Sequence, residues 1–86
     1  MRLVQCAGGQ GAAKARLAAK GWAPMEIMLG PARIEAMSKG YATVAFDPSG
    51  DYASEPLGGI MPPMALPGGD PLREEAMDCL CGTEAD

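Results

Sequence analysis

The sequence predicts an α/β fold: one small domain with a short strand-helix-strand core, a Pro/Gly-rich extended arm and a short C-terminal helix. Three observations predict it. Two stretches of helix-forming residues each end on Lys-Gly, at Lys20-Gly21 and Lys39-Gly40, and an aromatic residue and a short apolar run follow each stop. Five of the eight prolines fall between Pro56 and Pro71, where they deny a sheet its ladder donors. Asp70-Pro71 then supplies a helix cap and a first-turn proline ahead of apolar residues at helical spacing. The chain divides accordingly into an N-terminal segment 1–11 expected to be flexible, an α/β core 12–47, a Pro/Gly/Met-rich arm 48–69, and an acidic helix and tail 70–86.

Leu3 to Cys6 suits a short strand, and the glycines around Gln10 loosen the chain after it. Ala12 to Lys20 is built from alanine, lysine, arginine and leucine, so it predicts a helix. With Gly21 at the left-handed stop, Leu17 and Trp22 fall at the two positions whose apolar contact accompanies a Schellman end. Trp22 therefore has a packing role, with docking on a partner as its functional alternative.

Met25 to Leu29 reads as a buried strand. Gly30-Pro31 has the form of a helix start, so Pro31 to Lys39 predicts a second helix, and Thr43 to Phe46 a strand. That helix would span about 13 Å and a five-residue strand about 17 Å, lengths that suit a right-handed parallel crossover. Ile60 to Leu66 carries apolar side chains on a proline-broken backbone, which predicts an arm lying on another surface. Leu72, Ala76, Cys79 and Leu80 share one face of the helix predicted over 71–80, and Gly82 stops it.

Charge is polarised along the chain. Residues 1–40 carry six basic side chains (Arg2, Lys14, Arg16, Lys20, Arg33 and Lys39) against Glu26 and Glu35, a net of +4. The remainder carries Arg73 against nine acids, a net of −8. The total of −4 argues against a nucleic-acid partner, which needs a clustered cationic surface. No segment reads as a secretory signal or a membrane span, so the expected location is the cytoplasm of a host cell or an assembled particle. Lys14, Arg16 and Lys20 facing Glu74, Glu75 and Asp78 form a candidate charged interface, either within one chain or between chains.

Catalysis has little to work with. There is no histidine to activate Ser38, Ser49 or Ser54, and Glu74 with Asp78 reads as a solvated helix face rather than an acid-base pair. The loop Gly9-Gln10-Gly11 lacks the third glycine of a dinucleotide loop and the Lys-Ser/Thr ending of a phosphate loop. Cys6, Cys79 and Cys81 are an odd number for a disulfide framework; Cys79 suits a small core residue, with a soft-metal thiol site as the alternative. No cofactor is expected. The readings are a non-enzymatic assembly protein anchored by Met61, Pro62, Pro63, Met64, Leu66 and Trp22, an acidic inhibitor that blocks a basic site on a host protein, or a thiol metal-binding module.

Ala23-Pro24-Met25-Glu26-Ile27-Met28-Leu29-Gly30-Pro31, then Gly40-Tyr41, Leu57-Gly58-Gly59-Ile60-Met61-Pro62 and Leu66-Pro67-Gly68-Gly69, resembles a pattern in the coat-type proteins of tailed bacteriophages. The resemblance covers residues 23–69 and departs at Pro62-Pro63, where those proteins carry a valine-rich strand. It implies a small virion-associated or phage-encoded protein that docks on neighbouring subunits, and it carries no catalytic residues.

Overall fold

A computed structural model describes residues 2–48, 50–58 and 64–82, apart from the side chain of Leu29. Its elements are β1 (Leu3–Gln5), α1 (Gln10–Ala19), β2 (Ala23–Leu29), β3 (Ala32–Lys39), β4 (Ala42–Ala45), β5 (Tyr52–Ser54), β6 (Leu57–Gly58), β7 (Met64–Ala65) and α2 (Pro71–Cys81). β2, β3, β4, β6 and β7 form an antiparallel sheet in that order, and β1 pairs antiparallel with β5. A bridge between Phe46 and Ala53 joins the two sheets. The fold is mixed α/β with a sheet-rich core.

The end of α1 follows its sequence. Trp22 N donates to Leu17 O at 3.1 Å and Gly21 N to Ala18 O at 3.0 Å, the paired bonds of a Schellman end, with Gly21 at φ 93°. α2 is capped as its sequence dictates: Asp70 accepts from Leu72 N and Arg73 N, Pro71 follows, and Gly82 closes the helix in the left-handed region.

The predicted helix over 31–39 is a strand. Seven residues of β2 pair in unbroken register with β3, from Ala23↔Ser38 to Leu29↔Ala32, and β3 pairs onward with β4. The parallel crossover is thereby replaced by two antiparallel hairpins. Gly30-Pro31 and Gly40-Tyr41 are their two-residue loops, with glycine at φ 60° and 57° in the first loop position, as a type II′ turn requires. A ladder shared with two neighbours outweighs the modest helix propensity of Ala, Arg, Glu and Met.

The arm is described only in part. Its described ends are β6 and β7 of the chain's own sheet, and Leu66 N donates to Pro56 O at 3.1 Å. Residues 59–63, with Met61, Pro62 and Pro63, lie outside the described residues. The terminal helix, expected against a neighbour, packs on α1 of the same chain.

Leu17 and Ala13 of α1 and Ala76, Cys79 and Leu80 of α2 meet Trp22, Met37, Ala42, Val44 and Phe46 in one aliphatic core. Residues 6–10 belong to this body as well: Cys6 N donates to Asp51 O, Ala7 N to Leu80 O, and the Gln10 side-chain amide to the carbonyls of Asp47 and Tyr52. No described helix is long and apolar enough to cross a membrane.

Candidate interaction surface

Alternation along the strands assigns the two faces of the large sheet. Met37, Ala42, Val44 and Phe46 enter the core beneath the helices, so Trp22, Pro24, Glu26 and Met28 of the β2 side and Arg33, Glu35 and Lys39 of β3 share that face. The charged contacts agree. Lys14 of α1 pairs with Glu35 and stands over the Phe46 ring at 5.1 Å, and Lys39 reaches Glu75 of α2 at 2.7 Å.

The opposite face carries Ala23, Met25 and Ile27 from β2, Ala32, Ile34, Ala36 and Ser38 from β3, and Thr43 and Ala45 from β4. It holds no charged residue. Its centre is closed, with Ala36 only 2% exposed between Met25 and Ala45. Toward the hairpin tip Ile27 and Ile34 are half-buried, and on the outer strand Met25 is 40% exposed. On the helix side of the hairpin lies a groove of about 790 Å³, lined by Ala15, Ala18, Pro24, Met37 and the Lys14–Glu35 pair.

The anchors expected from the sequence are distributed differently. Trp22 is interior at 3% exposure, and its indole donates to Glu75 Oε1 at 2.9 Å. Leu66 packs half-buried against the core, while Met64 is 68% exposed on β7. The charged set is engaged at home. Arg16 donates to Cys79 O at 2.6 Å and Ala7 O at 2.8 Å, Glu74 pairs with Arg73, and Glu75 takes both Trp22 and Lys39. The hydrogen bond from Lys39, then that from Trp22, holds the Glu75 carboxyl below its ordinary value. Lys20 adds its positive charge to this node and lends its carbonyl to Lys39; Asp78 is exposed and its carbonyl accepts from Gly82 N. Glu75 of this set thus meets Lys39 and the charge of Lys20, both from the basic half, within one molecule.

Cys6 and Cys79 are buried and Cys81 is exposed; burial pushes the Cys6 thiol above its ordinary value despite the opposing charge of Arg16. Among the described residues no three cysteines, histidines or carboxylates converge as a metal site would require.

The residues that make the open face, Met25, Ile27 and Ile34, were not singled out by sequence reasoning. Met-Glu-Ile-Met-Leu has the composition of a buried strand, and only the sheet order makes it an edge. No protein-family model, curated protein or solved structure matches this chain.

Proposed function

We propose that this chain is a non-enzymatic assembly protein, a small component of a phage particle in keeping with its coat-like pattern, that docks on neighbouring protein through the β2–β3 hairpin. The observation that carries this reading is the segregation of charge on the hairpin. Every charged side chain of β2 and β3 shares the helix side, which leaves Met25, Ile27 and Ile34 on an uncharged face that opens to solvent. Exposed apolar surface of this kind marks a contact site, and covering what remains open of each such side chain contributes a fraction of the roughly 1.5–3 kcal/mol that full burial is worth.

This docking surface is distinct from the arm that the prolines suggest, two of whose expected anchors, Leu66 and Trp22, serve the chain's own core. The acidic-inhibitor alternative has less to draw on, since Glu74 is paired with Arg73 and Glu75 with Lys39. A photoreactive amino acid at position 27 or 34 should crosslink to a stoichiometric protein neighbour, either a second copy or another particle component. The same probe at Glu74 should not. Ile27→Asp with Ile34→Asp should release the neighbour while circular dichroism stays unchanged. Equal crosslinking from both sides of the molecule would overturn the proposal.

A further inference from the structure

We propose that the neighbour is a second copy of this chain, joined edge to edge through β2, antiparallel about a two-fold axis at Ile27; this rests on the assembly reading above. β2 ends the sheet order, and no described strand lies beyond it. Which of its backbone groups face outward follows from one bond. Phe46 N donates to Glu35 O at 2.8 Å, so Glu35, Met37 and Lys39 turn their backbone polar groups toward β4. Ile34, Ala36 and Ser38 then serve β2, whose residues Ala23, Met25 and Ile27 answer them. Pro24, Glu26 and Met28 are left facing the free edge. Pro24 has no N–H to lose there, as suits an edge position.

Only registers that set outward residues against outward residues can form the new ladder. An axis at Glu26 places two carboxylates directly opposite each other, which is repulsive. An axis at Ile27 pairs Glu26 with the partner's Met28, and each such pair exchanges both bonds, about four across the interface. Ile27 then meets its own copy on the uncharged face, and Met25 extends the same apolar surface.

Charge selects this register too. Within one chain Glu26 lies opposite Glu35, a like-charge pair relieved only on the Glu35 side by Lys14. Arg33 lies beside Met28 on the same face as Glu26. Both Glu26 and Arg33 are exposed, and neither makes an ion pair among the described residues. In the Ile27-centred dimer Glu26 reaches past the partner's Met28 to the partner's Arg33, and the symmetry supplies that contact twice.

The test is a charge swap read by sedimentation on the full chain. The wild type should form a dimer, and Glu26→Arg or Arg33→Glu alone should weaken it by roughly tenfold or more, as expected for like charges brought together across an interface. The double variant Glu26→Arg with Arg33→Glu should restore the wild-type affinity. Hydrogen exchange at the Glu26 and Met28 amides should slow with protein concentration. Single variants that dimerise as tightly as wild type, or a double variant as weak as the singles, would overturn the register. A monomer that crosslinks at position 27 to a different protein would overturn the self-pairing and leave the assembly reading standing. A monomer with no neighbour at that face would end both.

Discussion

The indole of Trp22 and the carboxylate of Glu75, fifty-three residues apart, meet through a hydrogen bond of 2.9 Å that fastens the turn after α1 to the middle of α2. Lys39 joins them from β3, so one carboxylate oxygen gathers the helix end, the sheet and the second helix. The node draws on both charge halves of the chain. Here a carboxylate of the acidic half is satisfied by a lysine of the basic half within one molecule.

This node makes acid stability depend on Glu75. Its carboxyl is held below its ordinary value of 4.5, chiefly by Lys39 and then Trp22. A depressed carboxyl contributes stability that is full above the unfolded value and is lost as pH falls through the folded one. Glu75→Gln should therefore cost about 1 kcal/mol near neutral pH, after discounting for partial exposure. The gap from wild type should close progressively below pH 4.5. Urea unfolding followed by the fluorescence of Trp22, the sole tryptophan, measures both. A gap that persists unchanged in acid would refute the node.

Gly58 tests whether the proline-rich segment belongs to its own sheet. A Cβ there would lie 2.5 Å from Leu66 Cδ2 and 3.6 Å from Tyr41 O. Gly58→Ala should destabilise the protein by about 1–3 kcal/mol through overpacking. Leu66→Ala should itself destabilise by removing a core contact, yet the two together should cost less than their sum, because the second change removes the first one's obstacle. Thermal unfolding of the four proteins gives the cycle. Strict additivity would mean that Leu66 does not pack where Gly58 stands.

The elements legible in the sequence are those fixed by local chemistry. Lys20-Gly21-Trp22 encodes its own Schellman end, and Asp70-Pro71 with Gly82 encodes both ends of α2, because caps are made by residues a few positions apart. β3 was not legible as a strand. Gly30-Pro31 satisfies the rule for a helix start as well as that for a hairpin loop, and the residues after it favour a helix until β2 and β4 claim their backbone. The deciding signal was present in the alternation of Arg33 and Glu35 with Ile34 and Ala36, between two Gly-x pairs spaced to fit one strand. The open face stayed hidden for a related reason. Edge or centre is a property of strand order, which a run such as Met25-Glu26-Ile27 does not carry.

Tyr41 and Asp70 set opposite pH limits on one contact. The Tyr41 hydroxyl donates to Asp70 Oδ2 at 2.7 Å, while Asp70 Oδ1 caps α2. The bond raises the Tyr41 phenol above its ordinary 10.0 and lowers the Asp70 carboxyl below its ordinary 3.8. A raised phenol contributes stability that is present below the unfolded value and lost as pH rises through the folded one; the lowered carboxyl contributes stability lost as pH falls. The tether between the β3–β4 turn and α2 should therefore hold across the neutral range and fail at both ends. Asp70→Asn separates its two duties, because asparagine caps a helix about as well as aspartate but brings no charge to the phenol. In that variant helicity should be retained and Tyr41 should titrate closer to 10.0, read from phenolate absorbance with Tyr41→Phe removing its share. An unchanged titration would mean that Asp70 does not govern Tyr41; a loss of helicity would mean that the cap depends on charge rather than on the acceptor oxygen.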